Sequence, residues 1–391
     1  MPIALLHHAV MEGGFNDVSL DFSECTSASS GSMLALCSEI LRLRTEHVDC
    51  TLTLPKRPDL ARLFKNTNWA NILEPRQYGP SAFKGYTQVP AISFSSPADQ
   101  HSAVNRITNA ILGGIPNIER SDFAALEWAI NELTDNVIVH SQSAAGGLVQ
   151  VSNFHRNRKV LEFTISDCGQ GIPKTLKSGG LFNGSDVGAL EQAIREGITR
   201  DKSIGQGNGL FGSYQICSHS GGEFRIDSGH ARLHYTPAKG LAVRYEKIPV
   251  KGTVIVAKVD FTNPLLLQEA LKFAGKKHTP VDYIETRYED GESNIVNFKL
   301  SEETESFGSR LAGTPVATKL ENLIRMHPGY AIEVNFDAIP IISSSFADEV
   351  FGKLFVGLGP MQFMQRIRFK NVAPTVQALI DRAISQRVAT G

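Results

Sequence analysis

The sequence predicts an α/β protein, with a central α/β layer domain lying between two smaller α/β units. Three observations carry that reading. Residues 100–260 alternate apolar segments of helical period with short β-rich runs, the pattern of helices laid on a sheet. Residues 18–54 read as strand, Ser-rich turn, helix and strand. The same order returns after a shift of 314 residues: Asp21-Phe22-Ser23 falls on Asn335-Phe336-Asp337, and Ser29-Ser30-Gly31 on Ser343-Ser344-Ser345.

A chain of 391 residues has room for two or three domains at roughly 150 residues each. Lysine plus arginine (39) nearly cancels aspartate plus glutamate (40), and 42% hydrophobic with 20% charged residues is globular composition. Disorder is excluded, and the charge does not indicate nucleic acid as a partner. Residues 1–10 lack a basic leader, and no later segment runs eighteen apolar residues without a charge. The expectation is a soluble, cytoplasmic protein with no membrane partner. Five scattered cysteines (Cys25, Cys37, Cys50, Cys168, Cys217) with no C-x-x-C pair read as reduced thiols.

Taken in order, 18–22 is strand-like, 33–44 is apolar at helical spacing, and 50–54 is a second strand. Pro55 and Pro58 open another helical stretch to about residue 73, and Pro, Gly and Ser then crowd the segment from 75 to 97. The expected domains are 1–85, a linker at 86–99, the central domain at 100–262, and a third at 263–391. Within the centre, helices are expected near 100–113 and 121–141. Strands are expected near 147–154, 159–166, 223–227, 241–247 and 252–259. In the third region a strand at 331–337, a Ser-rich turn, a helix at 346–355 and a strand at 366–369 complete the repeat.

The helix at 121–141 holds the first candidate site residues. Ser121 is placed to cap it and Asp122 suits its first turn. Leu126, Ile130, Leu133 and Val137 make the buried stripe, so Glu132, Asn136 and His140, four apart, share a face beside it. An amide oxygen can enter a Mg²⁺ octahedron, and a carboxylate can take a proton from water. Next, an apolar run ends in Asp167-Cys168-Gly169-Gln170-Gly171-Ile172-Pro173, a strand delivering an acid into a glycine turn. Glycines let backbone approach a flat ligand and a carboxylate accepts from an exocyclic amine, which suits a purine. Finally Ser203-Ile204-Gly205-Gln206-Gly207-Asn208-Gly209-Leu210-Phe211-Gly212 runs into a helix, and glycines opening a helix N-terminus seat an anion. No G-K-[ST] follows and no strand precedes the glycines, so this is neither a P-loop nor a dinucleotide fingerprint.

The ordered set E-L-x-x-N, D-x-G-x-G, G-x-G-x-G-L, Ser220-Gly221-Gly222 and Gly252-Thr253 resembles the GHKL superfamily of gyrase, the ninety-kilodalton heat-shock chaperone, histidine kinases and the mismatch-repair ATPase. The resemblance covers about residues 100–260. It implies a Bergerat ATP-binding fold with ATP and Mg²⁺ as cofactors. Glu132 then matches the water-activating base, Asn136 the Mg²⁺ ligand and Asp167 the acceptor of the adenine amine. Gly169 and Gly171 match the turn beneath the nucleotide, Gly205, Gly207 and Gly209 the phosphate-side end of a lid, and Thr253 the hydroxyl behind Asp167. Ile172, Ser203, Asn208 and Leu210 flank these glycines and join the nucleotide-binding set. Lys202, with Thr199 and Arg200, falls in the lid, where a cation can neutralise phosphate. Val137 stands where the family usually has alanine, and Asn208 and Phe211 occupy variable places.

The first unit's strand and Ala28-Ser29-Ser30-Gly31 turn resemble the STAS family, whose D-S-S-G turn carries a phosphorylatable serine. Ser30 takes that serine's place as phosphoacceptor candidate, although Ala28 replaces the family's acid. The stretch with Ser343-Ser344-Ser345 resembles the STAS-like domain of unknown function found beside such ATPases. Serines at a helix start also serve simply as caps. Three functions follow from the resemblance: a switch ATPase signalling through STAS-like units to a protein partner or a second subunit, as in a homodimer; a serine protein kinase acting on a STAS-like domain; and an ATP-sensing adaptor without turnover.

Overall fold

The computed structural model describes residues 2–83, 88–155, 160–195, 197, 208–260, 270–273, 275–278, 282–289, 291 and 293–390. Two compact units divide the chain: residues 1–107 with 125–279, and residues 108–124 with 280–391.

In the first unit a short helix α1 (Pro2–His7) precedes β1 (Asp17–Asp21), α2 (Ser30–Thr45) and β2 (Asp49–Thr53). The two strands pair in parallel, Leu20 opposite Leu52. Helices α3 (Pro58–Asn66) and α4 (Trp69–Leu73) follow. Phe22, Phe64 and Trp69 stack edge to face at 5.2 and 5.5 Å and pack with Leu34 and Ile40 of α2. Nearly every side of α2 is buried, including Ser30, Gly31, Ser38, Glu39 and Arg42. A helix enclosed all round needs a second surface to pack on. That surface is a five-stranded antiparallel sheet, whose Ala91 and Leu148 join the same core.

The sheet runs in the order β3-β4-β5-β7-β6, with β3 (Val89–Phe94), β4 (Gly147–His155), β5 (Val160–Asp167), β6 (Glu223–Thr236) and β7 (Gly240–Asp260). Helices α5 (Pro97–Gly114), α6 (Arg120–His140), α7 (Gly171–Ser178), α8 (Asp186–Ala193) and α9 (Gly209–His219) complete the layer. Three expectations need correction. The segment expected as a linker at 86–99 carries β3 and the start of α5, because Val89 and Ala91 are buried against the core despite Pro90 between them. The strands expected at 241–247 and 252–259 are one, since Gly252, at φ +74°, turns the strand locally without ending it. Helix α6 opens at Arg120, so Ser121 lies inside its first turn.

Strand alternation divides β5 between two faces. Leu161, Phe163, Ile165 and Asp167, opposite Val259, Ala257, Ile255 and Thr253 of β7, turn to one face. Glu162, Thr164 and Ser166 turn to the other, beneath α2. After β7 the short strands β8 (Lys272–Phe273) and β9 (Lys276–Lys277) form a hairpin.

The second unit is built on a parallel sheet, β10 (Ile295–Lys299), β11 (Ala331–Asn335) and β12 (Ile367–Lys370), with β11 central. Helices α10 (Tyr283–Tyr288), α11 (Leu300–Glu303), α12 (Arg310–Met326), a helical run from Ser344 to Leu358 and the terminal helix Pro374–Thr390 surround it. A buried ion pair, Lys319 Nζ to Glu303 Oε2 at 2.8 Å, is shared with Tyr288 and Arg287. Asn322 donates to the carbonyls of Leu112 and Ile115. Adding 314 to the bounds of β1 gives those of β11, and Ser30, which opens α2, maps to Ser344, which opens the helical run.

Candidate functional site

A cavity of about 380 Å³ lies in the first unit on the Asp167 face of the sheet. Helix α6 forms one wall. Trp128, Glu132, Asn136 and His140 recur every four residues along it and all line the cavity, with Leu133 and Val137 beside Ile165 and Ile255 at the floor.

At one end stands Asp167, the last residue of β5 and 4% exposed. Its Oδ1 accepts the Gly169 N–H at 2.7 Å, and the Thr253 N–H also bonds to the carboxylate. Burial pushes the Asp167 carboxyl up to about 7, and the two backbone donors only partly oppose that rise. Behind it the backbone is too close for side chains. Gly252, at φ +74°, would put a Cβ 2.2 Å from the Asp167 carbonyl oxygen. Gly171, at φ +75°, would put one 2.7 Å from Ser228 Oγ and 2.8 Å from the Gly252 carbonyl. Ser228 Oγ donates to that carbonyl at 2.6 Å, accepts the Ile172 N–H at 3.0 Å and lies 3.3 Å from Thr253 Oγ1. Gln170 completes the turn, its N–H donating to the Ser141 carbonyl and its Nε2 to the His140 carbonyl.

At the other end the N-terminus of α9 meets α6. A Cβ on Gly209 would lie 2.8 Å from Glu132 Oε2 and 3.4 Å from Asn136 Nδ2. The first amides of an α-helix have no partner inside it and attract anions. Burial, then the neighbouring charge of Asp135, raises the Glu132 carboxyl above the ordinary range. Asn208 Oδ1 accepts the Gly197 N–H at 3.1 Å, and Leu210 packs against the Leu176, Ala189 and Ala193 cluster with Ile172.

Of the residues singled out from sequence, Glu132, Asn136, Asp167, Gly171, Ile172, Asn208, Gly209, Leu210 and Thr253 all line this cavity. Gly169 does not: its place is against Ser141, whose carbonyl oxygen would be 2.0 Å from a Cβ there. Thr199, Arg200, Lys202, Ser203, Gly205 and Gly207 lie outside the described residues. Sequence reasoning missed Trp128, one turn before Glu132, which the same spacing of four would have added. It also missed Phe273 and His278 of the β8–β9 hairpin, whose rings lie 5.7 and 5.9 Å from Trp128. Nothing in the motifs pointed to Ser228.

Ser30 requires a correction. As a phosphoacceptor it needs an accessible hydroxyl, but it is 6% exposed, donates to Glu162 Oε1 at 2.8 Å and accepts from Thr164 Oγ1 at 2.8 Å. Close packing of α2 on the sheet takes it out of reach. Ser343 is a helix cap, its Oγ accepting the Phe346 N–H at 3.1 Å and lying 3.0 Å from Ser345 Oγ.

Residues 121–263 match the family described as histidine kinase-, DNA gyrase B-, and HSP90-like ATPase. This segment is a GHKL ATPase domain. Residues 313–377 match the STAS-like domain of unknown function. Curated proteins and solved structures give no match to the chain. The GHKL domain supports ATP binding and an ATPase or kinase activity of that type. Among the described residues no helix is long and apolar enough to cross a membrane.

Proposed function

We propose that the cavity binds MgATP and that the chain is a switch ATPase, coupling nucleotide state to its STAS-like units and through them to a protein partner or a second subunit. One observation carries this reading. A buried carboxylate in a glycine-lined turn and a helix N-terminus beside Glu132 and Asn136 face the same cavity from its two ends.

In this reading Asp167 accepts from the exocyclic amine of adenine, and Thr253 and the Gly171 turn support the ring. The amides of α9 face the phosphates. Asn136 would hold a Mg²⁺ through its amide oxygen, a hard oxygen ligand of the kind that ion takes. Bound there, the ion neutralises phosphate charge. Glu132, with its carboxyl already raised, takes the proton as a water oxygen bonds to the γ-phosphorus and the bond to the bridging oxygen of ADP breaks. Phosphotransfer to Ser30 finds no support in its buried position.

Incubation with Mg²⁺ and γ-labelled ATP, wild type beside Glu132→Ala, tests the reading. Label released as free phosphate by wild type only supports the switch ATPase. Label kept on protein would make the chain a kinase, and binding without either product would make it an adaptor.

A further inference from the structure

The reverse face of β5 carries a polar seam. Glu162, Thr164 and Ser166 on that face, and Cys168 just past the end of the strand, each meet a polar side chain of α2. Glu162 and Thr164 bond to Ser30, Ser166 Oγ accepts from Ser38 Oγ at 2.9 Å, and Cys168 Sγ donates to Glu39 Oε2 at 3.2 Å. Beside them Trp69 Nε1 donates to Gln150 Oε1 of β4 at 2.7 Å. Polar groups covered by a second layer need partners, and α2 with α4 supplies them in register with the strand.

The last bond of the seam adjoins the cavity. Asp167 turns into the cavity and its successor Cys168 turns away, so one peptide plane links the carboxylate to the thiol. Burial, together with the nearby Glu39 carboxylate, pushes the Cys168 thiol well up, which keeps it protonated and able to donate. Its acceptor is braced. Arg42 Nη2 lies 2.6 Å from Glu39 Oε1, both side chains are buried, and Arg42 also pairs with Glu46. On the cavity side the turn is tied by the Gly169 N–H to Asp167 and the Gln170 N–H to Ser141.

We propose that Glu39, acting through the Cys168 thiol, is a positioning residue for Asp167, so that the N-terminal layer sets base selectivity at the nucleotide site. This rests on the cavity being that site. Hydrogen bonds weaken steeply with angle, so a small rotation of the 167–168 peptide degrades the bond from Asp167 to an exocyclic amine. The phosphate end, held by α6 and α9, is untouched by that rotation. The effect therefore falls on the base and spares the triphosphate.

The experiment uses the full chain and calorimetric affinities for ATP and for ITP, whose base has a carbonyl where adenine has its amine, with Tm recorded alongside. Cys168→Ala removes the donor, Cys168→Ser keeps one, and Glu39→Gln keeps an acceptor but breaks the ionic brace. Cys168→Ala is expected to weaken ATP binding about fivefold, the scale of one hydrogen bond, with ITP binding unchanged. Cys168→Ser restores the ATP-to-ITP ratio, and Glu39→Gln lowers it. A ratio equal to wild type in both Cys168→Ala and Glu39→Gln, whatever happens to Tm, overturns the positioning role alone. Failure of wild type to bind ATP overturns the nucleotide site and this proposal with it.

Discussion

Gly209 opens α9 directly against Glu132: a Cβ at this position would lie 2.8 Å from the Glu132 carboxylate oxygen and 3.2 Å from its Cβ. The helix whose free amides face the cavity is thus seated on the candidate base. Gly209→Ala should displace Glu132 or the α9 terminus by a few tenths of an ångström. We expect ATP turnover to fall at least about tenfold, the sensitivity expected of a misplaced catalytic group, with the fold retained. Steady-state phosphate release beside a thermal melt checks this; full turnover in the alanine variant would remove Gly209 from the site.

Asp167 carries a pH signature. Its carboxyl stands at about 7 in the folded chain against an ordinary 3.8, so the folded state holds a proton that the unfolded state has lost. Stability from this group is fully present below about pH 4 and is lost as pH rises to about 7. Asp167→Asn has no proton to lose. Between pH 4.5 and pH 8 the stability difference should therefore move toward the variant by something on the order of 2–4 kcal/mol. Urea unfolding at the two pH values, without nucleotide, measures it, and an unchanged difference would contradict the raised carboxyl.

Ser30 distinguishes a seam from a phosphosite. Ser30→Ala removes one hydroxyl from the Glu162–Thr164 group and should cost roughly 1 kcal/mol. Ser30→Asp buries a second carboxylate against Glu162 and should cost roughly 3 kcal/mol or more. Thermal unfolding compares them. An aspartate variant as stable as wild type would mean that α2 does not lie on the sheet in solution.

Much of this was legible because it depends on local spacing. The four-residue step from Glu132 to Asn136 fixes their common face, and the acid-glycine turn at Asp167 announces a strand end. The offset of 314 located both β-turn-α-β units because their first strands and helix starts keep that spacing. Burial of Ser30 was not legible. Nothing in Ser29-Ser30-Gly31 shows that a distant strand will bring Glu162 and Thr164 to it, and the turn alone looks like a solvent-facing loop. Strand β3 was hidden for a related reason: Pro90 lies within it and Ser95, Ser96 and Pro97 follow it, and only its packing with β4 makes it a strand.

Ser228 is the residue that sequence concealed most fully, a lone serine in a strand with no motif around it. Its Oγ accepts the Ile172 N–H and donates to the Gly252 carbonyl, joining the two glycine turns on either side of Asp167. It is fully buried, so water cannot readily replace it. Ser228→Ala leaves a donor and an acceptor unsatisfied, at a cost of about 1–3 kcal/mol. Because Gly171 and Thr253 both lean on this hydroxyl, ATP affinity should fall alongside stability, on the order of tenfold, while Ser228→Thr retains the hydroxyl and most of the binding. Calorimetric titration of the two variants decides it: equal binding by Ser228→Ala and wild type would show that the turn holds its shape without the hydroxyl.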